Sequence, residues 1–359
     1  MPYPSLFRPH VLGDLTLPNR IVMAPMTRNR AVGANVPHSA APLYYSQRAA
    51  AALIISEASQ VSANAVGYIR TPGLHGGEQV EMWRTVTDAV HAAGGRIFAQ
   101  LWHVGRVSHP DFLEGELPVA PSALAPAGEI TTPLGRKKFV QPRVLEADEL
   151  PILIEAFRWA AANAKHAGFD GVEIHGANSY LLDQFLRDGS NHRNDEYGGS
   201  VRNRARFPLM VTDAVIEVWG PSRVGYRLSP NGVSYSMSDS DPVKTFSYMA
   251  DALSERRIAY LHVVEPLGGG NAPVDHVTRV TPFLRERFRG PLIANGGYDA
   301  QSAERALNND EADFVSFGVP FLANPDLVER FRRGAPLNAP DFTTFFQGEE
   351  KGYVDYPTL

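Results

Sequence analysis

Eight short apolar runs recur along the chain, each followed by a longer segment with helical periodicity. The runs are rich in β-branched and aromatic residues, and several end in Gly or Pro, as buried strands do. They cover residues 21–26, 53–59, 96–103, 171–177, 224–230, 260–266, 292–298 and 314–319. Strands that alternate with helices predict a parallel sheet, and eight such strands are the number that closes a barrel. The pattern therefore predicts the α/β class and a (β/α)₈ barrel, the TIM-barrel fold.

The helical segments between the runs support this interpretation. Residues 78–94 place apolar side chains on one face, and residues 148–168 open with acidic residues and stop at a glycine. Asn324, Pro325 and Asp326 resemble a helix start, with an N-cap, a proline at the first position and an acid in the first turn. An open doubly wound sheet would favour Gly-x-Gly-x-x-Gly after the first strand, whereas residues 23–28 read Met-Ala-Pro-Met-Thr-Arg.

The whole chain, residues 1–359, is predicted to form one domain. Residues 6–19 precede the first strand and are expected to form a small hairpin that plugs the floor of the barrel. Two connections after strands are long, residues 108–146 after the third and 178–200 after the fourth. Such loops lie at the C-terminal face of a barrel, where active sites occur.

Composition excludes several classes of protein. The formal net charge of -5 disfavours a nucleic-acid or anionic-membrane partner. The absence of cysteine removes disulfides, thiolate metal sites and iron–sulfur clusters, and the lack of a His-x-His pair predicts that no metal is bound. The first residues resemble no secretory signal, and no apolar run approaches the ~20 residues of a membrane helix. We therefore expect a soluble, cytoplasmic protein.

The strand ends supply the candidate catalytic groups. Arg227 ends the fifth strand without an obvious acidic partner, and a buried cation of this kind requires an anion. Strands seven and eight end in glycines, which fit either a phosphate site or tight turns. No lysine ends a strand, so a Schiff-base aldolase is excluded. A glycosidase would need two facing carboxylates, and its candidates, Glu57, Glu173 and Glu265, make it a distant alternative.

Several longer motifs occupy the same strand ends. Residues 175–185 read His-Gly-Ala-Asn-Ser-Tyr-Leu-Leu-Asp-Gln-Phe, and residues 190–200 read Ser-Asn-His-Arg-Asn-Asp-Glu-Tyr-Gly-Gly-Ser. Shorter motifs are Ala-Pro-Met-Thr-Arg at 24–28, Ser-Glu-Ala at 56–58 and Gln-Leu-Trp-His at 100–103. Through these motifs, in this order, the chain resembles the Old Yellow Enzyme family of FMN-dependent ene-reductases, N-ethylmaleimide reductases and nitroester reductases. The resemblance extends over nearly the whole chain.

The resemblance implies a role for each matching residue. His175 and Asn178 would donate hydrogen bonds to the substrate oxygen, and Tyr180 would donate a proton. Tyr68, Trp102 and Tyr353 would line the substrate pocket together with His175 and Asn178. Non-covalently bound FMN would be held by Pro25, Met26, Thr27, Ala58, Gln100, Arg227, Asn295, Gly296, Gly297, Gly318 and Val319.

The implied reaction is reduction of the activated C=C bond of an α,β-unsaturated carbonyl. NAD(P)H would reduce the flavin, which would pass hydride from N5 to the substrate in a ping-pong cycle. Negative charge would build on the carbonyl oxygen, which requires fixed donors, and a tyrosine with a reference pKa of about 10 can supply the proton. A nitroester or nitroaromatic reductase at the same site, and a non-catalytic flavin-binding barrel, are the alternatives. The expected partners are small electrophilic alkenes or nitro compounds, with the protein a monomer or homodimer.

Two positions of the candidate site depart from the family pattern. Members usually have an arginine after the glycine of strand eight, where it grips the FMN phosphate, but here Val319 follows Gly318. The loss of a charge-assisted contact to a dianion predicts weaker retention of FMN, with the phosphate held mainly by backbone N–H groups. Ser179 replaces the usual glycine before Tyr180, which predicts a small shift of the tyrosine.

Overall fold

Eight parallel strands close into a barrel in a computed structural model that describes residues 1–266 and 278–359. The strands in chain order are β1 (His10–Leu12), β2 (Leu15–Leu17), β3 (Ile21–Met23), β4 (Leu53–Gln60), β5 (Ile97–Trp102), β6 (Val119–Ala120), β7 (Glu129–Thr132), β8 (Gly135–Lys138), β9 (Arg143–Val144), β10 (Gly171–His175), β11 (Val224–Leu228), β12 (Tyr260–Val264), β13 (Leu292–Asn295) and β14 (Phe314–Phe317). The barrel follows the order β3, β4, β5, β10, β11, β12, β13, β14 and returns to β3. Each of the eight predicted strands is confirmed.

The register of the barrel brings polar residues from different strands together. Every residue of β4, β5, β10 and β11 is buried, because helices cover the sheet outside and side chains fill it inside. His175 stands beside Arg227 across the β10–β11 pair, and Arg227 stands beside His262 across the β11–β12 pair. These neighbours all lie toward the C-terminal ends of their strands, where the candidate site was predicted.

The predicted hairpin plug is also confirmed. Strands β1 and β2 pair antiparallel, and their Leu12 and Leu17 side chains join a buried cluster with Phe98, Tyr260 and Phe314 from the barrel strands. The hairpin thus completes an apolar floor below the barrel. Burying these large side chains contributes roughly 1.5–3 kcal/mol each.

Helices lie between the barrel strands. They are α1 (Ala41–Ser46), α2 (Gly77–Ala92), α3 (Leu150–His166), α4 (Leu181–Leu186), α5 (Val201–Trp219), α6 (Pro242–Glu255), α7 (Thr281–Arg287), α8 (Ala300–Asn308), α9 (Val319–Ala323) and α10 (Leu327–Arg333). Helices α2 and α3 confirm the two periodic segments. In the part of the chain that the structure describes, no helix is long and apolar enough to cross a membrane.

The predicted helix start at Asn324 is wrong by two residues. Helix α10 begins at Leu327, after Asp326, which makes no capping hydrogen bond to the helix backbone. The Asp326 carboxylate instead accepts from Arg330 Nε at 2.7 Å and from the Leu359 backbone N–H at 2.8 Å. Tertiary pairing with the end of the chain has replaced the local capping pattern.

The two long connections shape the C-terminal face of the barrel. Residues 108–146 contain the short strands β6 to β9, and β7 pairs with β8 as a hairpin. Residues 178–200 contain helix α4, which the sequence pattern did not predict. All six residues of α4 are buried, so the connection packs into the domain and fixes the turn that precedes it.

Candidate active site

A cavity of about 850 Å³ opens at the C-terminal face of the barrel. The sequence-predicted residues that line it are Met26, Thr27, Tyr68, Tyr180, Gly318 and Val319. The hairpin residues Glu129 to Thr131 and the C-terminal residues Phe345 to Gln347 form further walls. The cavity therefore lies between strand ends from opposite sides of the barrel, and later segments of the chain cover it.

His175 ends β10 and lies next to this cavity without lining it. The ring is 4% exposed, and its Nδ1 accepts a hydrogen bond from the Ala177 backbone N–H at 3.4 Å. Burial, and then the positive charge of Arg227, lower the pKa of His175 well below its usual value. The neutral ring that accepts at Nδ1 carries its proton on Nε2, which makes Nε2 a hydrogen-bond donor.

Asn178 follows in a strained turn. Its φ is 56° and that of Ser179 is 74°, both in the left-handed region. The Asn178 backbone N–H donates to Ser229 Oγ at 2.7 Å, and the Ser179 hydroxyl donates to the Ser234 carbonyl at 2.8 Å. Within residues 1–266 and 278–359 the Asn178 side chain has no hydrogen-bond partner. Strain of this kind is characteristic of functional sites, and the amide is left available for a ligand.

Tyr180 lies beside His175. The two rings are 5.0 Å apart and nearly perpendicular, and the Tyr180 ring meets Trp102 in the same way at 5.0 Å. The Tyr180 hydroxyl donates to the Tyr68 hydroxyl at 3.1 Å. Burial raises the pKa of Tyr180 above its usual value, so the phenol keeps its proton at neutral pH and can act as an acid.

Trp102 and Tyr68 form an aromatic wall behind Tyr180. Their rings stack at 5.6 Å with an interplanar angle of 24°. Trp102 is fully buried and does not reach the cavity, whereas Tyr68 lines it. Of the two predicted pocket residues, the structure places Tyr68 at the cavity and Trp102 one layer behind it.

A buried polar network lies in the barrel beneath the site. The Gln100 Nε2 amide donates to Glu173 Oε1 at 2.7 Å, and His262 bridges Glu173 Oε2 and Ser316 Oγ at 2.8 Å each. Burial alone would raise the pKa of Glu173, but His262, Arg227 and Gln100 hold it below its usual value. One of the two Nε2 hydrogens is engaged with Glu173, so Gln100 keeps its second N–H and its carbonyl oxygen for a cofactor.

Arg227 supplies the positive charge of the site. Its guanidinium donates to Asn295 Oδ1 at 3.0 Å, and burial lowers its pKa. The Nε atom is buried and has no partner among the described residues. An unpaired buried donor on a cation fits a polar group with partial negative charge, such as the edge of a flavin ring, because such a donor is otherwise costly.

The ends of β13 and β14 form a backbone cradle. A Cβ atom at Gly296 would lie 2.2 Å from the Glu265 carbonyl oxygen, and φ is 142° at Gly296 and 88° at Gly297. The space beside Gly297 is open within 4 Å. Gly318 and the 40%-exposed Val319 face the cavity. This cradle fits the phosphate end of FMN, to which backbone N–H groups can donate.

The remaining predicted cofactor residues border the same space. Thr27 is half-buried at the cavity, and no residue of the described part accepts from its hydroxyl. Pro25 is buried, and Ala58 stands in register beside Gln100 across the β4–β5 pair, after a register shift in β4. Together with Arg227 and the cradle, they fit a long, flat molecule with an anionic end.

The placement of Tyr353 does not support the prediction that it lines the pocket. Its ring is 1% exposed and stacks on Tyr44 at 4.1 Å, with the guanidinium groups of Arg28 and Arg30 5.2 and 5.0 Å from the ring centroid. Tyr353 instead anchors the C-terminal segment, whose Phe346 lines the cavity and is 59% exposed. No sequence pattern marks Phe346, because its place at the cavity depends on these tertiary contacts.

Tyr235 is a cavity residue that sequence reasoning missed. It lies in the turn Ser234–Ser236, well beyond the end of β11, and its hydroxyl is 2.7 Å from the Tyr68 hydroxyl. A search limited to the ends of barrel strands misses such a position, because Tyr235 lies on a loop that folds back over the barrel.

The carboxylates that a glycosidase would use are engaged elsewhere. Glu173 lies in the buried network with His262, and Glu265 accepts from the backbone N–H groups of Val280 and Thr281 at 2.8 and 3.0 Å. Glu57 is buried beside Tyr45, and burial raises its pKa to about 7. Over residues 1–266 and 278–359, no group of three or more side chains forms a metal site.

Comparison with known proteins places this site in a family. Residues 5–338 match the model of the NADH:flavin oxidoreductase / NADH oxidase family. The chain is 46% identical to 12-oxophytodienoate reductase 1 of Oryza sativa subsp. japonica, over 99% of this chain and 93% of that protein. Among solved structures, morphinone reductase in complex with tetrahydroNAD is 50% identical with a TM-score of 0.94, covering 99% and 98% of the two chains. The old yellow enzyme homologue from Zymomonas mobilis is 45% identical with a TM-score of 0.96, covering 99% and 100%.

Proposed function

The chain belongs to the NADH:flavin oxidoreductase / NADH oxidase family, and from this premise we propose that His175, Asn178 and Tyr180 assist the reduction of activated alkenes. The protein is a flavin-dependent oxidoreductase of the Old Yellow Enzyme type that uses FMN and a nicotinamide cofactor. Bound FMN supplies the hydride chemistry, which no side chain can provide. The protein supplies position, hydrogen bonds and a proton.

His175 and Asn178 stabilise the charge that forms on the substrate oxygen. The neutral His175 ring presents Nε2–H, and the unpartnered Asn178 amide presents a second donor from the next turn. The His175 ring is oriented by its bond from the Ala177 backbone N–H, and the Asn178 backbone is fixed by its bond to Ser229, so little reorganisation is needed when charge develops.

Tyr180 donates the proton that completes the reduction. Its raised pKa keeps the phenol protonated at neutral pH, and its position at the cavity wall lets it reach a bound alkene. The observation that carries the proposal is this grouping of a protonated phenol with two donors that have no partner in residues 1–266 and 278–359, all at the end of one strand.

The function is tested first by an absorbance spectrum of the purified protein, followed anaerobically. We expect flavin peaks near roughly 370 and 460 nm that bleach with NADPH and return with 2-cyclohexenone. A protein that stays colourless after addition of FMN would contradict the proposal and favour a barrel without flavin chemistry. Bleaching without recovery on the enone, but with recovery on a nitroester, would assign the nitro-reductase activity instead.

The predictions about binding partners rest on the size of the cavity and on the net charge. The substrate is proposed to be a small electrophilic alkene, which a cavity of about 850 Å³ accommodates. The net charge of -5 opposes binding to nucleic acid. A cytoplasmic location and a monomeric or homodimeric state stay predictions.

Val319→Arg is expected to tighten FMN binding. Val319 is 40% exposed at the cradle beside Gly318, so an arginine there gains a charge-assisted hydrogen bond to the phosphate without burying its stem. Such a bond is worth roughly 1.5–3 kcal/mol, or about 10- to 100-fold in Kd. The Kd is measured by titrating the apoprotein with FMN and following the loss of flavin fluorescence.

Riboflavin, which lacks the phosphate, provides the matched control. Its Kd is expected to be the same for Val319→Arg and for the unchanged protein. An equal gain for riboflavin and FMN would show that the arginine acts on the ring or on folding, and no gain for FMN would place the phosphate elsewhere.

A further inference from the structure

The cavity wall contains a chain of three tyrosine hydroxyls. The Tyr180 hydroxyl donates to Tyr68 at 3.1 Å, and the Tyr68 hydroxyl lies 2.7 Å from that of Tyr235. In residues 1–266 and 278–359, Tyr68 is the hydrogen-bond partner of Tyr180 and Tyr235 is that of Tyr68 on the far side. The three side chains come from three separate segments of the chain, so the alignment is a property of the fold.

We propose that Tyr68 and Tyr235 relay a proton from solvent to Tyr180 as Tyr180 protonates the substrate. The proposal rests on the proposed role of Tyr180 as the proton donor. The Tyr180 hydroxyl, which donates to Tyr68 in the structure, turns to donate to the substrate, and its oxygen then accepts from Tyr68. The O–H bond of Tyr180 breaks as the C–H bond at the α-carbon forms. In the same step the Tyr68 proton moves to the Tyr180 oxygen, the Tyr235 proton moves to Tyr68, and water gives a proton to Tyr235 and leaves hydroxide in the solvent.

The surroundings of Tyr180 favour such a path. Its ring lies between Trp102 and His175, both of which are buried, and burial raises its pKa. A tyrosinate left there after proton donation would be a poorly solvated charge, which is costly. While a ligand fills the cavity, the Tyr68 hydroxyl is the group already in hydrogen-bond contact with that oxygen.

The Tyr235 end of this row of three hydroxyls reaches solvent. Tyr235 is half-buried, and both its neighbours in the turn, Ser234 and Ser236, are exposed. Its φ of 54° is held by contacts on either side. The Tyr235 carbonyl accepts from Arg106 at 3.0 Å, and the Ser234 carbonyl accepts from the Ser179 hydroxyl at 2.8 Å.

Ser179 thereby links the two ends of the relay. This residue directly precedes Tyr180, and its hydrogen bond to Ser234 joins the turn that carries Tyr180 to the turn that carries Tyr235. A glycine at position 179 would lack this bond. The departure from the family pattern at Ser179 therefore has a structural consequence, which is to hold the hydroxyls in line.

Tyrosine-to-phenylalanine variants remove one hydroxyl each and keep the rings that pack on Trp102 and Phe139. Anaerobically reduced protein is mixed with 2-cyclohexenone in H₂O–D₂O mixtures, and flavin reoxidation is followed by stopped flow. We expect roughly tenfold slowing in Tyr68→Phe and a smaller loss in Tyr235→Phe. In the unchanged protein, a plot of the reoxidation rate against the deuterium fraction of the solvent should be curved, because several protons move. In Tyr68→Phe the same plot should be a straight line.

The outcomes separate the relay from the underlying function. A straight line in the unchanged protein would overturn the relay, whether or not Tyr68→Phe is slow, and a slow variant would then identify Tyr68 as a positioning residue. Rates within about twofold of the unchanged protein in both variants would also overturn it. Normal rates in Tyr180→Phe would instead contradict the proposed donor. Tyr3→Phe, which removes a hydroxyl from a ring packed on Phe331, is the control.

Discussion

Tyr180→Phe is expected to slow reduction of weakly activated enones by roughly 10²–10⁴-fold, the usual contribution of a general acid. The ring keeps its edge contacts with Trp102 and His175 at 5.0 Å, so the cavity wall is preserved and only the acid is lost. Flavin reduction by NADPH needs no proton from this residue and should be unchanged. The two half-reactions are measured separately by anaerobic stopped flow.

The comparison of two substrates sharpens this prediction. A strongly activated alkene such as a maleimide gives a stabilised carbanion that water can protonate, so its turnover should fall much less than that of 2-cyclohexenone. An equal loss in both half-reactions would mean that Tyr180 shapes the binding site and is not the acid. Tyr3→Phe, at a residue that packs on Phe331 and does not line the cavity, should leave both rates unchanged.

The fold was predictable because its determinants are local and repeated. Each barrel strand is a short apolar run between helical segments, and the register of a closed barrel then brings His175, Arg227 and Gln100 to one end. The same logic failed at α10, where Asp326 pairs with Arg330 and the backbone of Leu359. A local capping pattern cannot reveal a partner more than thirty residues away.

The site was predictable where it consists of strand ends and unpredictable where loops fold back. His175 ends β10, Gly318 directly follows β14, and Thr27 lies shortly after β3, so their positions follow from the fold. Tyr235 and Phe346 lie on segments that return over the barrel, and their place depends on tertiary contacts such as the Arg106 bond to the Tyr235 carbonyl.

At Tyr353, the role implied by the family resemblance is not supported by the position of the side chain. Tyr353 matched the family motif, yet its ring is buried against Tyr44 under two arginines. The Arg30 guanidinium donates to the carbonyls of Thr344, Phe345, Gln347, Glu349 and Lys351. These contacts shape the segment that brings Phe346 to the cavity. A motif residue can thus act on a site through the segment that it anchors.

Replacing both His175 and Asn178 with Ala is expected to abolish the charge-transfer bands that phenols give with oxidised flavin. The phenolate oxygen would lose both of its proposed donors. Loss of one fixed donor costs roughly 10²–10³-fold in rate, so enone reduction should fall at least that far. The bands are measured by titration with 4-chlorophenol.

The pH dependence distinguishes a neutral donor from a charged one. Burial and then Arg227 lower the pKa of His175 below its usual value of 6.5, so the ring is neutral on both sides of that pH. Phenol affinity of the unchanged protein should therefore show no inflection near 6.5, whereas an imidazolium donor would bind more tightly as the pH falls through it. Retained bands in the double variant would assign the oxygen site elsewhere, and an inflection that disappears in His175→Ala would mean that the donor is charged.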